Sequence, residues 1–307
     1  MPLSLAADRP WSADIIDLSA ARERRTAGIR YTVLGPVRAW RGETELELGS
    51  PQQRAVLAAL LLREGAMATV DELSRAVWGD DSPRTAVSTI RTYVSRLRGI
   101  LGGAITSVGG GYAVQVPADC LDLARFRRHV DRARLARRSG EHGQAVDELA
   151  AAVELRQGQP LAGVPGPYAR AQRDRLTELL TGAAIDRLAA EVELGRDTDA
   201  IPELTALLAE FPLREQLYEL LMIALYRAGR QAEALGQYRA ARRILADELG
   251  IDPGPALRRV HEQILTADQA LPVKGVRLVV LRRPAPHIGT TNPRQPGATA
   301  PRPRRRR

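Results

Sequence analysis

The chain has 307 residues and a mass of 33.5 kDa, room for about two domains of ordinary size. Its 45 lysines and arginines outnumber 36 acids, giving a net charge of +9 and a pI near 10.4, and such an excess points to an anionic partner, nucleic acid first. One cysteine, Cys120, and four scattered histidines exclude an intrachain disulfide and offer no zinc-site spacing, and the single lysine, Lys274, excludes a GxxxxGK[ST] phosphate loop.

No metal and no cofactor is implied by any motif. The longest apolar run, Ala55 to Leu62, is too short to span a bilayer, and Asp8 and Asp14 interrupt the start where a signal peptide would be basic and then apolar. A cytoplasmic protein without a membrane partner is the expectation. The charge is unevenly placed. Residues 270–307 hold ten basic side chains and no acid, which leaves residues 1–269 at −1.

In chain order, residues 1–28 mix Pro, Asp and Arg without a sustained period and read as a disordered arm. Strand-like runs follow at Ile29 to Leu34, Val37 to Arg41 and Glu45 to Leu48, separated by Gly35-Pro36 and Gly42-Glu43. Ser50-Pro51-Gln52-Gln53 and Thr69-Val70-Asp71-Glu72 each carry the signature of a capped helix start. A third helix is predicted from Ser82-Pro83 to about Leu101, and Gly109-Gly110-Gly111 separates two short strands, Ala104 to Val108 and Tyr112 to Val116. Strands, three helices and a terminal hairpin make a winged helix-turn-helix over 29–118. A phosphate cradle at the three glycines is disfavoured because no helix follows them.

Residues 119–269 are helical by periodicity. Gly140, Gly195 and Gly229 are each followed by Ala at plus five, an apolar residue at plus six and Leu or Tyr at plus nine, with separations of 55 and 34 residues. The second separation is that of tetratricopeptide repeats, so stacked antiparallel helix pairs are expected. Residues 270–307, rich in Pro and Arg, read as a disordered tail with at most a short strand at Val276 to Leu281. The fold class is therefore mostly α with small β.

The third helix carries the chemistry. Ile90, Val94, Leu97 and Leu101 share one face; Thr85, Ser88, Thr89, Thr92, Ser95, Arg96 and Gly99 lie opposite. Residues 82–118 contain four arginines and no carboxylate, whereas residues 30–81 have six arginines against eight acids. Small hydrogen-bonding side chains without acids suit entry into a DNA major groove. A solvated surface helix is the plain alternative; the Trp78-Gly79-Asp80-Asp81 turn before it and the glycine-rich wing after it favour the DNA reading.

Three stretches of this module, Leu48 to Leu60, Val77-Trp78-Gly79-Asp80 and Thr92-Tyr93-Val94-Ser95-Arg96-Leu97-Arg98, together with Gly110-Gly111-Tyr112, resemble the antibiotic regulatory protein family of actinomycetes. Arg227 to Leu235 and Leu249 to Pro255 resemble the end of that family's second domain. The likeness covers about Ile29 to Leu265. It implies an OmpR-like winged helix at 29–118 joined to a tetratricopeptide-like bacterial transcriptional activation domain at 119–269. It also implies an activator of a secondary-metabolite gene cluster that binds direct repeats in double-stranded DNA near promoters, as a homodimer, and contacts RNA polymerase and its sigma factor.

By the same resemblance the recognition helix maps onto Ser88 to Arg98. Arg96 is the first candidate for a base contact, followed by Thr89, Thr92 and Tyr93; Ser88 opens the segment. Arg91 and Arg98 are candidate phosphate contacts, and Tyr112 is placed to support the wing. The arginine-rich tail is either a non-specific grip on phosphates or a solvated end. Two other classes stay open: a peptide-binding adaptor using the repeats, or an effector-sensing regulator. No residue constellation reads as catalytic, since neither GxSxG nor paired carboxylates on a helix face occur.

Overall fold

The computed structural model describes residues 28–266. Most of the arm, the tail and the strand expected at 276–281 lie outside the described residues. Strand β1 (Ile29–Thr32) pairs antiparallel with β2 (Arg38–Arg41), with Tyr31 opposite Ala39, and β3 (Thr44–Glu45) adds to β2. Alternation turns Ile29, Tyr31 and Ala39 inward onto helix α1 (Pro51–Leu61). The two outer strands are shorter than the apolar runs predict. Beyond Thr32, Val33 and Leu34 hydrogen-bond to other parts of the chain, and Leu46 keeps a single bond to Ala39.

Ser50 caps α1, its hydroxyl accepting from the Gln53 amide at 3.2 Å. That helix is the axis of the first core, with Val56, Leu57 and Leu60 fully buried. Strand β4 (Ala68–Thr69) leads into α2 (Val70–Trp78), whose start is a complete capping box: the Thr69 hydroxyl accepts from the Glu72 amide, and the Glu72 carboxylate accepts from the Thr69 amide. Helix α3 (Ala86–Ile100) begins later than the Ser82-Pro83 signal predicts. The Ser82 hydroxyl is engaged with the Gly79 carbonyl and the Ser74 hydroxyl, so residues 82–85 form the turn between the two helices.

The wing is β5 (Ile105–Val108) and β6 (Gly111–Val114), with β6 in the middle of a second sheet between β5 and β4. Its two-residue tip, Gly109-Gly110, has φ of 53° and 82°, the positive values that a tight primed hairpin turn requires. Gly111 belongs to β6. A Cβ there would lie 2.3 Å from the Ala68 carbonyl oxygen, so only glycine lets β4 pair at that point.

Seven helices follow: α4 (Asp122–Arg138), α5 (His142–Glu154), α6 (Pro167–Glu193), α7 (Asp197–Glu210), α8 (Glu215–Arg227), α9 (Gln231–Leu249) and α10 (Pro255–Leu265). The glycine repeat falls at the turns of the hairpins α4/α5, α6/α7 and α8/α9, where Gly140, Gly195 and Gly229 all have positive φ. Ala145, Ala200 and Ala234, five residues on, are each 0% exposed, because a methyl is what fits where two helices cross closely. No helix among the described residues is long and apolar enough to cross a membrane.

The apolar interior forms two clusters that divide within α6, between Ala183 and Ala184. The first runs from Ile29 through the wing and continues into α4, α5 and the first half of α6. The winged helix therefore shares its core with the first helical hairpin. Asp122 secures the junction: its carboxylate, 5% exposed as a residue, accepts from the amides of Val33 and Leu34 and from its own neighbour Leu123, at 2.7 to 3.0 Å. The Gln157 and Leu161 amides donate to the Leu34 and Val33 carbonyls, completing the backbone partners of the turn after β1.

Candidate nucleic-acid interface

Helix α3 buries Ile90, Val94 and Leu97, each at 0–1% exposure, and Leu101 just beyond its end. This apolar stripe fixes the rotation of the helix and so decides what faces outward. Ser88, Arg91, Thr92, Ser95 and Arg96 are exposed, while Thr89 is half-buried. The Ser88 hydroxyl donates to the Thr85 carbonyl (2.8 Å) and the Thr92 hydroxyl to the Ser88 carbonyl (3.0 Å). Their protons are engaged in the helix, leaving oxygen lone pairs outward to accept from base amino groups. Arg91 and Arg96 have no ion-pair partner among the described residues, so both keep their charge for a ligand.

The remaining predicted residues are placed differently. Tyr93 is half-buried and its hydroxyl donates to Gln52 Oε1 at 2.8 Å, bracing α3 against α1. Arg98 shares a flank with Arg91 on the helical wheel, but its guanidinium turns to the wing. Its Nε donates to the Ile105 carbonyl (3.0 Å), its Nη2 to Ser107 Oγ (2.7 Å), and its Cζ lies 5.3 Å from the centre of the Tyr112 ring. The structure thus brings Arg98 and Tyr112 together as a brace between helix and wing, and leaves Ser88, Arg91, Thr92 and Arg96 as the open face. At the far end of the helix, Arg41 Nη2 donates to the Ile100 carbonyl at 2.9 Å and helps satisfy the C-terminus.

Three further exposed positions carry no strong sequence signal. Arg84 and Val87 are exposed at the N-terminal end of α3, the end that commonly meets base edges. Val108 is exposed at the wing tip beside Gly109. Residues 82–118 bring no carboxylate.

A winged helix-turn-helix with an acid-free outer face on its third helix, packed on tetratricopeptide-like hairpins, defines a class of bacterial transcription regulators. Residues 43–114 match the family described as transcriptional regulatory protein, C terminal, and residues 121–265 match the bacterial transcriptional activator domain. The chain is 52% identical over 253 residues to the regulatory protein AfsR of Streptomyces coelicolor, covering 82% of this chain and 26% of that protein. It is 32% identical to the transcriptional regulator RedD of the same organism, covering 80% of this chain and 73% of RedD. With the regulatory protein DnrI of Streptomyces peucetius it shares 30% identity over 80% of this chain and 96% of DnrI. The fold superposes on Mycobacterium tuberculosis EmbR, solved in complex with a low affinity phosphopeptide, with a TM-score of 0.77 at 35% identity, covering 80% of this chain and 67% of that one.

The chain belongs to the antibiotic regulatory protein family of actinomycete transcriptional activators. It spans about a quarter of the length of the AfsR proteins it matches, 26% and 28% of the two.

Proposed function

We propose that this protein is a sequence-specific activator of a secondary-metabolite gene cluster, acting at the nucleoid without catalytic chemistry of its own. It binds direct repeats near promoters as a side-by-side homodimer and recruits RNA polymerase through contact with the sigma factor. The observation that carries this reading is the exposed, acid-free face of α3, with Arg96 and Arg91 unpaired among the described residues beside Ser88 and Thr92 and the wing braced next to it by Arg98. Arg96 reads a base edge as a forked donor, Thr92 and Ser88 accept at the groove floor, and Arg91 neutralises phosphate. Tyr93 and Tyr112 act by holding the helix and wing in register.

The winged-helix module and the first helical hairpin share a core, so on DNA the helical domain is carried at a set angle, ready to present one face to polymerase. Footprinting of the full chain on the promoters of the neighbouring gene cluster tests the reading. Protection of two direct repeats, with competitor DNA present and salt moderate, is the expected result. Equal binding to cognate and scrambled duplexes would refute sequence-specific recognition and leave the helical repeats as a protein-binding adaptor.

A further inference from the structure

Helices α1 and α2 are capped by side chains of their own N-cap residues, Ser50 and Thr69, whereas Thr85 at the N-cap of α3 makes no side-chain capping bond. The start of α3 is therefore placed by the turn that leads into it. In that turn the Ser82 hydroxyl donates to the Gly79 carbonyl at 3.2 Å and lies 3.0 Å from the Ser74 hydroxyl on α2. The Thr85 carbonyl in turn accepts from the Ser88 hydroxyl and the Thr89 amide, at 2.8 and 2.9 Å. A shift of Gly79 is thus passed to the first turn of α3.

Gly79 is itself held from the helical domain. Gly166, the last residue before α6, has a φ of 100°, and a Cβ there would lie 2.5 and 2.7 Å from the Ala76 and Val77 carbonyl oxygens. Only glycine permits that approach. These carbonyls belong to the last turn of α2, where no further turn bonds them, and α6 brings its N-terminus, the positive end of its macrodipole, against them. Pro167, the first residue of α6, stands beside Gly79, its Cγ 3.2 Å from where a Cβ would be. The loop that delivers Gly166 is fixed as well. Arg173 of α6 donates from Nε to the Pro160 carbonyl (3.2 Å) and from Nη2 to the Leu161 and Val164 carbonyls (3.0 and 3.1 Å). Leu161, 0% exposed, keeps a φ of 53°, which a non-glycine residue holds only where its surroundings impose it.

We propose that Gly166 is a positioning residue for DNA recognition: through Gly79 and the turn at 79–85 it sets where α3 begins, and Arg173 holds the loop that puts it there. The helical domain then takes part in reading the operator without touching it. The proposal rests on the reading of α3 as the recognition helix. Its first step, the placing of the α3 start by Gly166, is measured without DNA.

Four variants of the full chain test it: Gly166→Ala, Arg173→Lys, Gly163→Ala and Leu257→Ala. Arg173→Lys keeps the charge but cannot span three carbonyls. Gly163 lies in the same loop with a φ of 72° and nothing within 4 Å of its Cβ position, so Gly163→Ala carries the backbone strain without the contact. Leu257 is 0% exposed in the second core, so Leu257→Ala lowers stability away from the loop. The amide ¹⁵N–¹H signals of Gly79, Ala86 and Thr89 are followed in the free protein. Affinities for cognate and scrambled duplexes are measured at a temperature where circular dichroism shows each variant folded. Gly166→Ala should move the three amides and weaken cognate binding about 3- to 30-fold, while scrambled binding, set by phosphate contacts, stays within about twofold. Arg173→Lys should change both readouts in the same direction, and the other two variants should change neither. Unmoved amides in Gly166→Ala, or an equal cognate loss in Gly163→Ala or Leu257→Ala, overturn the proposal; if Gly166→Ala does not fold, Arg173→Lys decides by the same readouts. A parent that binds both duplexes alike refutes the reading of α3 instead, and the amide shifts still decide whether Gly166 places the helix.

Discussion

The Arg98 guanidinium reaches from α3 across to β6 and lies 5.3 Å from the centre of the Tyr112 ring, while also donating to Ile105 and Ser107 on β5. Helix and wing are thereby held as one body. A lysine cannot reproduce this, because the brace uses two separate nitrogens and a flat face.

Arg98 accordingly separates positioning from charge. Arg98→Ala should cost about 1–2 kcal/mol of folding stability from the lost hydrogen bonds and ring contact, read by urea denaturation. Arg98→Lys keeps the charge, and should still lose most of the DNA affinity that the alanine variant loses in a mobility-shift titration. Full retention of affinity by the lysine variant would assign Arg98 to phosphate contact instead.

Arg96 and Arg91 should differ in kind. Arg96→Ala should cost about 1–3 kcal/mol in cognate binding and relax preference at one base position. Arg91→Ala should weaken cognate and scrambled duplexes alike and reduce the slope of log K against log salt by about 1. Affinities measured on both duplexes over a salt series decide it; indifference of the Arg96 variant to sequence would remove Arg96 as reader.

Asp186 offers a pH test of the second half of the molecule. It is 3% exposed on α6, just past the point where the two cores divide. Burial raises its pKa from 3.8 to about 6, against the attraction of Arg137 and Arg134, while Glu193 adds to the rise. The sign follows from linkage: the folded state favours the protonated acid, so this contribution to stability is complete below the unfolded value and is lost as pH rises through about 6. Parent and Asp186→Asn should be about equally stable near pH 4, with the variant ahead by up to ~3 kcal/mol near pH 7. Urea unfolding at both pH values measures it. A parent that gains on the variant as pH rises would mean that the two arginines outweigh burial.

The shared core predicts that the winged helix does not stand alone. A fragment of residues 28–118 lacks Asp122 and the Gln157 and Leu161 amides that satisfy the turn after β1, and exposes the apolar faces of α1 and α2 that α6 covers. It should show no cooperative unfolding transition by circular dichroism, whereas the chain through residue 266 should. Gly35→Ala is the subtle form of the same test. A Cβ there would fall 2.4 Å from the Gln157 carbonyl oxygen, and should destabilise the full chain by about 1–3 kcal/mol. A stable, cooperative 28–118 fragment would show the joint to be dispensable.

Much was legible beforehand where local rules act alone. The Thr69 capping box, the wing turn at Gly109-Gly110 and the Gly-to-Ala spacing at 140, 195 and 229 depend on contacts within a few residues or on one helix crossing, so their patterns survive in the linear chain. The face of α3 was legible for the same reason, since its buried stripe and 3.6-residue period fix what is left outside. The late start of α3 was not legible, because the Ser82 hydroxyl is claimed by Ser74 and Gly79 across the turn.

By itself, then, the sequence determined the order of elements, the family and the acid-free outer face of α3, all of which rest on short-range spacing and charge. Tertiary structure alone decided that Arg98 is spent on the wing while Arg91 and Arg96 stay exposed, and that the core runs on from the winged helix into α6. It also decided that Asp122, 88 and 89 residues from Leu34 and Val33, closes the joint after β1. Those relations join groups far apart along the chain, and no local period or propensity encodes which distant donor a buried carboxylate will meet.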